Sequence, residues 1–144
     1  MKAIMILSLL LLVVATAGAQ DLLRTNPNYM KARDLQLQAD QALSRGEYDK
    51  SVELAEESKK LLAQAESETT ARIQQLRANG WKTQASERIS YARGIRAEVA
   101  YPEQMSKANA LFETAQKTYD SGDYETSIAS SKAVLATLEG IKPK

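Results

Sequence analysis

The sequence predicts an all-α protein of about five antiparallel helices, in which two helical hairpins flank a long central helical hairpin. Apolar residues recur at the three- and four-residue spacing of a helix face, as in Leu35, Ala39 and Ala42. The chain holds only 3 prolines, and each stands where a helix is expected to begin or where the chain ends. No stretch alternates apolar and polar residues as a strand does, so helices are expected throughout the chain that follows the N-terminal segment.

The N-terminal segment has the composition of a cleavable secretory signal. Lys2 supplies a positive charge, and Ile4–Val14 is an uncharged apolar run interrupted by one serine. Ala17 and Ala19 then give the small residues that a signal peptidase requires, so we expect cleavage before Gln20. An uncleaved anchor is the alternative, but the apolar run is shorter than the roughly 20 residues of a membrane-spanning helix.

The helix boundaries follow from caps and breakers. Asn26 and the proline after it are typical of a helix start, and Gly46 is typical of a helix end. The second helix is expected to end at Asn79-Gly80, a pair that favours a turn. Tyr101 precedes a proline and therefore avoids the α region, which separates the third helix from the fourth. The helices are predicted over about 28–45, 49–79, 83–99, 102–121 and 124–138.

The predicted division of the chain is a signal peptide over 1–19, a helical domain over 20–140 and a disordered tail over 141–144. Cleavage would leave about 125 residues (144 − 19), which is one domain's worth. The sequence has no cysteine, so neither a disulfide nor a lipid anchor on cysteine is expected. We expect a periplasmic location, with secretion or N-terminal anchoring as alternatives.

A motif of small residue, glycine, tyrosine and serine occurs twice, at an offset of 76 residues (122 − 46). Its first helix carries the alanine that allows close helix contact, and the glycine ends that helix. The tyrosine is expected to cover the turn within the core of the hairpin, and the serine is expected to permit a second close contact. The two copies are Ala39, Gly46, Tyr48 and Ser51, and Ala115, Gly122, Tyr124 and Ser127.

At these residues the sequence resembles the tetratricopeptide repeat (TPR). It departs from that family at the two serines, where alanine is usual, and at Leu35 and Leu111, where tryptophan is common. The copies also lie farther apart than the 34 residues of adjacent repeats. The resemblance implies a helical scaffold in which the first helix of each hairpin, over 28–45 and 102–121, lines a concave surface.

The whole layout is also similar to a group of spirochaete (treponemal) envelope proteins. The resemblance rests on the exported start, the glycine-acid-tyrosine hairpins and the break from Ala97 to Pro102. Members of that group often continue into a LysM peptidoglycan-binding module, and no such module follows in this sequence. The resemblance therefore implies a periplasmic protein for which direct binding to peptidoglycan is doubtful.

Nothing in the sequence predicts catalysis, a metal site or a cofactor. The chain has no histidine, which removes the commonest general base and metal ligand. Carboxylate pairs such as Glu56-Glu57 and Glu66/Glu68 are more simply a solvated helix face that pairs with Lys59 and Lys60. No G-x-S-x-G motif and no glycine-rich phosphate loop is present. We therefore expect a protein that is not an enzyme.

Charge is segregated along the middle of the chain. Residues 47–68 hold seven acids and three lysines, whereas residues 72–107 hold seven bases and three acids. If the central hairpin folds back on itself, Arg88, Arg93 and Arg96 approach the acidic half, and pairing within the molecule explains the pattern. The alternative is an exposed basic strip that contacts an anionic partner together with Trp81 and Tyr91.

These observations predict a non-catalytic interaction protein that binds a protein or peptide partner through TPR-like hairpins. The alternative is a structural or wall-associated envelope protein that acts through self-association, and a homo-oligomer is left open. After removal of Lys2 the chain has 18 basic and 18 acidic residues (19 − 1 = 18), a balance that does not favour binding to nucleic acid. Trp81, Arg88 and Tyr91 are the candidate partner contacts.

Overall fold

The computed structural model describes residues 17–143, and within them the chain is all α-helical, as predicted. The predicted apolar run of the signal, Ile4–Val14, lies outside the described residues. No helix of residues 17–143 is both long and apolar enough to cross a membrane. Of the described residues, 17–69 form one compact unit (unit 1) and 70–143 form another (unit 2). The helices are α1 (Ala17–Arg24), α2 (Pro27–Ser44), α3 (Tyr48–Gly94), α4 (Ala97–Ala100), α5 (Pro102–Asp120) and α6 (Tyr124–Thr137).

In unit 1, the start of α2 is fixed by Asn26, as the sequence predicts. Its side-chain oxygen accepts hydrogen bonds from the backbone N–H groups of Asn28 (2.8 Å) and Tyr29 (3.3 Å). These two N–H groups have no partner inside the helix, so the cap satisfies donors that would otherwise depend on water. The face that α2 buries consists of Ala32, Leu35, Ala39 and Ala42.

The carboxylate of Glu68 ties α3 to this cap. It accepts hydrogen bonds from the side-chain amides of Asn26 (2.9 Å), Asn28 (3.1 Å) and Gln64 (2.9 Å). The hydrogen bonds, chiefly the one from Asn26, hold the pKa of Glu68 below its ordinary value. Three amide donors on one carboxylate therefore fasten the beginning of α2 to α3 within unit 1.

The predicted turn at Asn79-Gly80 is wrong, because α3 runs without interruption for 47 residues. Ala78 and Ala85 are fully buried on either side of this pair, and their seven-residue spacing continues one buried face. Packing of that face outweighs the cost of a helical glycine, which is about 1 kcal/mol relative to alanine. The central element is thus one long helix and not a helical hairpin.

The end of the predicted third helix also differs. Instead of continuing to residue 99, α3 ends at Gly94, and Arg96 adopts a left-handed conformation with φ of 58°. The short helix α4 follows, and the predicted break at Tyr101-Pro102 then separates it from α5. The left-handed residue at the break is Arg96 and not Gly94, the last residue of α3, so the sequence did not indicate which residue takes this conformation.

In unit 2, α5 and α6 pack as an antiparallel hairpin against the last part of α3. The expected disordered tail is wrong at its first residue, because Ile141 is buried with this core and only 4% exposed. Its carbonyl also accepts a hydrogen bond from Arg88, at 3.3 Å. The buried residues of this core are Ala85, Ile89, Ala92, Ala97, Met105, Ala108, Val134, Leu138 and Ile141.

Candidate interaction surface

Both copies of the repeated motif form the same helix-ending turn. The Glu47 N–H donates to the Ala42 carbonyl at 2.9 Å, and the Asp123 N–H donates to the Thr118 carbonyl at 2.9 Å. The glycine before each acid has a positive φ, of 76° in the first copy and 82° at Gly122. This is the Schellman motif, which satisfies the last carbonyls of a helix. The predicted helix ends at the two glycines are confirmed in both copies.

The serines of the motif make the same hydrogen bond across each hairpin. Ser51 Oγ donates to the Ala39 carbonyl at 2.9 Å, and Ser127 Oγ donates to the Ala115 carbonyl at 2.8 Å. Both alanines are buried, so the helices approach closely enough for a hydroxyl to reach the opposite backbone. The sequence indicated a small residue at these positions but not the bond. The sequence offers one indication of this hydrogen bond, which is that Ser51 and Ser127 stand where the TPR pattern has alanine.

A third cross-helix bond occurs in unit 1 alone. Ser58 is buried, and its Oγ donates to the Ala32 carbonyl at 2.6 Å. At the equivalent positions of the second hairpin, 76 residues on, the buried pair is Val134 and Ala108. The sequence analysis did not predict a role for Ser58. The available signal was that Ser58 stands where the second copy has Val134.

The two tyrosines of the motif have different environments. Tyr124 is half-buried and its ring contacts that of Tyr119 edge-on, with centroids 5.5 Å apart. Lys82 lies over the Tyr119 ring at 3.8 Å, so α3 covers this side of the second hairpin. Tyr48 is 68% exposed, and its prediction as a core residue of the hairpin is wrong. Leu43, which stands where the second hairpin has Tyr119, is exposed as well, so no ring supports Tyr48.

The acidic residue after each glycine is used differently in the two hairpins. Asp123 caps α6 by accepting a hydrogen bond from the Thr126 N–H at 3.1 Å, and its hydrogen bonds from Thr126 lower its pKa. Glu47 instead pairs with Arg45 at 2.7 Å and with Lys50 at 3.5 Å, and the hydrogen bond from Arg45 lowers the pKa of Glu47. Both carboxylates are therefore charged and engaged within their own turn.

The predicted contact residues Trp81, Arg88 and Tyr91 lie in unit 2, and each of the three has a partner that the sequence did not reveal. The ammonium of Lys132 lies 4.7 Å from the Trp81 ring. Arg88 donates to the Leu138 carbonyl at 2.7 Å, and its guanidinium lies over the Tyr91 ring at 4.9 Å. Because a cation at a helix C-terminus complements the dipole, Arg88 completes the end of α6.

The expected pairing of the arginine strip with the acidic half of a central hairpin is wrong, since α3 does not fold back. Arg93 instead donates to the side-chain oxygen of Asn109 at 3.0 Å and pairs with Glu98 at 3.4 Å. Arg96 lies exposed at the break before α4.

The outer face of α2 carries exposed apolar side chains. Met30 and Leu37 are each 60% exposed and lie seven residues apart, on the side opposite the buried alanines. The equivalent positions of α5, Ser106 and Glu113, are polar and exposed. The exposed apolar surface on a first helix is thus specific to the first hairpin.

Two open surface clefts lie elsewhere, one in each unit. The cleft in unit 2 has a volume of about 660 Å³ and the cleft in unit 1 about 730 Å³. The paired carboxylates Glu56 and Glu57 line the cleft in unit 1, with Lys60 beside them. Among residues 17–143 no group of three or more carboxylates, histidines and cysteines could hold a metal ion. The lining residues of the unit 2 cleft are Ala71, Gln74, Arg77, Gly122, Asp123, Tyr124, Glu125 and Ile128.

The predicted cleavage residues Ala17, Ala19 and Gln20 lie in α1, a helix that the sequence analysis did not predict. α1 contacts α2 within unit 1.

In comparisons with known proteins, no family model matches the chain, and neither a curated protein nor a solved structure is significantly similar to it.

Proposed function

We propose that the protein is a non-catalytic, exported interaction protein that binds a protein or peptide partner through the outer face of α2. The observation that carries this proposal is the pair of exposed apolar side chains, Met30 and Leu37, on the first helix of a hairpin. Exposed apolar surface rimmed by polar residues is typical of sites where proteins contact a partner. The periplasm is the proposed location, because the N-terminal segment has the pattern of a secretory signal.

The spacing of the two side chains defines the partner's chemistry. Seven residues of helix span about 10.5 Å, which is two turns. A partner helix that offers two apolar side chains one heptad apart would match this spacing, as in other complexes of amphipathic helices. An enclosed small molecule fits less well, since binding sites for such ligands are concave pockets.

The hairpin itself supports the proposal by holding α2 in place. Hydrogen bonds from Ser51 and Ser58 to α2 carbonyls fix the helix against α3, and the Glu68 carboxylate fixes its first turn. A rigid helix presents its side chains without a further ordering cost on binding, which favours affinity. The same bonds leave the opposite face of α2 free for contact.

The test is capture of partners from a periplasmic extract with three forms of the protein. The Met30→Gln/Leu37→Gln variant changes only exposed positions, so its circular dichroism should equal that of the unchanged protein. We expect a stoichiometric partner to be recovered with the unchanged protein and to be lost, by about tenfold or more, with this variant. The matched control is Ser106→Gln/Glu113→Gln at the equivalent positions of α5, which should retain the partner.

Equal recovery of the same partner by both variants would overturn the assignment of the α2 face. Sedimentation with peptidoglycan, without any soluble partner, would instead favour a wall-associated structural protein.

The proposed cleavage has its own test. The purified protein, measured by mass spectrometry, should begin at Gln20. Retention of the intact Ile4–Val14 segment would contradict the proposed cleavage.

A further inference from the structure

The turn end of the first hairpin exposes three large apolar side chains. Leu43, Tyr48 and Val52 are each more than half exposed. Tyr48 and Val52 are four residues apart in α3 and therefore lie on one face of that helix. Leu43, near the end of α2, stands where Tyr119 contacts Tyr124 in the second hairpin, and the equivalent turns therefore place it beside Tyr48. We call Leu43, Tyr48 and Val52 the turn patch.

The second hairpin covers the same positions with a helix. The residues equivalent to the turn patch are Tyr119, Tyr124 and Ile128, and all three are partly buried. The Lys82 ammonium of α3 lies over the Tyr119 ring at 3.8 Å. Residues 71–77 of α3 and the start of α6, with Tyr124 and Ile128, line the cleft of unit 2 together. Within unit 2, this face of a hairpin is thus a docking face for a segment of helix.

The acids beside this docking face are repeated as well. Asp123 and Glu125 line the cleft of unit 2 together with Arg77. Glu47 and Asp49 occupy the same two positions in the first hairpin. Asp49 is exposed and forms no ion pair within residues 17–143. The first hairpin therefore has the apolar residues and the acids of the docking face, but its turn patch stays exposed in the described chain.

We propose that the turn patch binds a basic amphipathic helix of another protein, placed as residues 71–82 of α3 are placed on the second hairpin. This helix offers apolar side chains to Tyr48 and Val52, and burial of these groups contributes the affinity. It offers a lysine or arginine to Asp49, which fixes its register. A second cation lies over the Tyr48 ring, as a lysine of α3 does over a tyrosine of the second hairpin.

A second copy of this chain is a less suitable occupant than a different protein. Its segment with the required chemistry, residues 71–82 of α3, already contacts its own second hairpin through Lys82 and the cleft of unit 2. Ala78, in the middle of this segment, is fully buried. A second copy could offer the segment only by uncovering its own hairpin, whereas a helix of another protein has no such cost.

The turn patch is separate from the outer face of α2 to which the proposed function assigns partner binding. Leu43 follows Leu37 by six residues, which places the two side chains about 120° apart around the helix. Substitutions of Met30 and Leu37 therefore leave the turn patch unchanged, and either site can fail its test without the other.

The test is binding of a labelled synthetic peptide to the purified protein, measured by fluorescence anisotropy. The peptide has the sequence of residues 70–89 with Gly80→Ala, a change that favours the helical form of an isolated peptide. We expect saturable binding with a Kd below about 1 mM. Tyr48→Gln/Val52→Gln changes only exposed positions and should weaken binding by about tenfold or more. The matched control, Met30→Gln/Leu37→Gln, should bind the peptide as the unchanged protein does.

Exchange of charge tests the placement of the helix. Asp49→Lys should weaken binding of the peptide by about fivefold, the effect of one exposed ion pair, and Arg77→Glu in the peptide should restore binding to this variant. Glu103→Lys, which changes the net charge equally at an exposed position of α5, should leave binding intact. Absence of saturable binding, or equal affinity for the unchanged protein and Tyr48→Gln/Val52→Gln, would overturn the proposal.

Sedimentation velocity of the protein without the peptide tests the choice of occupant. We expect a monomer over a range of protein concentrations. Self-association that Tyr48→Gln/Val52→Gln abolishes would show that a second copy covers the turn patch, and would overturn the assignment of the patch to a helix of another protein.

Discussion

Replacement of Gly80 by alanine measures whether α3 continues through the position where the sequence favours a turn. In the structure Gly80 is helical, and no atom lies within 4 Å of the Cβ that alanine would add. The substitution therefore introduces no clash and removes the backbone entropy cost of a helical glycine, which is about 0.5–1 kcal/mol. We expect the free energy of unfolding to increase by that amount.

The opposite result is expected at the glycines that do end helices. Gly46 and Gly122 have φ of 76° and 82°, and again no atom lies within 4 Å of an added Cβ. Only the backbone conformation is then unfavourable, and a left-handed residue other than glycine costs about 1–2 kcal/mol. Gly122→Ala is thus a matched control whose effect has the opposite sign.

The assay is urea unfolding followed by circular dichroism, with thermal unfolding as a second measurement. For a chain of this size a change of about 1 kcal/mol moves the Tm by about 3–5 °C. Gly80→Ala should raise the Tm, and Gly122→Ala should lower it. Loss of stability in Gly80→Ala comparable to that in Gly122→Ala would refute a continuous α3 and restore the hairpin that the sequence suggested.

Three further predictions concern polar side chains. Ser127→Ala should lower the free energy of unfolding by about 1 kcal/mol, because a buried hydroxyl loses its hydrogen bond. Ser131→Ala should leave the free energy of unfolding unchanged or increase it, since the buried Ser131 hydroxyl has no hydrogen-bond partner in the described chain. A larger decrease in the free energy of unfolding for Ser131→Ala than for Ser127→Ala, in the same urea assay, would contradict both assignments. Glu68→Gln should lower the Tm at about pH 7 but not at about pH 2. Because the pKa of Glu68 is lower in the folded protein than its ordinary value of 4.5, the ionised carboxylate stabilises the fold at a pH above 4.5. This stabilisation is lost as the pH falls through the lower pKa of the folded protein. A Tm difference that is unchanged between these pH values would exclude the Glu68 carboxylate as the cause.

The local ends of the helices could be predicted because single residues determine them. Asn26 caps α2, Gly46 and Gly122 end α2 and α5, and the proline at 102 begins α5, each by a mechanism confined to a few backbone groups. The close contacts at Ala39 and Ala115 were predictable for the same reason, since a repeated small residue indicates where two helices touch.

The parts that could not be predicted depend on packing between distant segments. Asn79-Gly80 has the composition of a turn, and only burial of Ala78 and Ala85 on one face keeps it helical. Likewise, the repeated motif does not distinguish Tyr48 from Tyr124, because the difference lies outside the motif: Tyr119 contacts the Tyr124 ring, and Leu43 stands at the equivalent position of the first hairpin. The partners of Arg88 are backbone carbonyls at the end of α6, which carry no sequence signal at all.

The comparison of the two hairpins separates residues that build the repeat from residues available for contact. Glycine and serine have the same role in both copies, and substitution there would test stability. Tyr48, Val52 and Leu43 are exposed in the first hairpin, whereas in the second hairpin Tyr124 is half-buried against Tyr119. The apolar side chains that the first hairpin keeps exposed at its turn are therefore the residues available for contact, whereas glycine and serine build the hairpin itself.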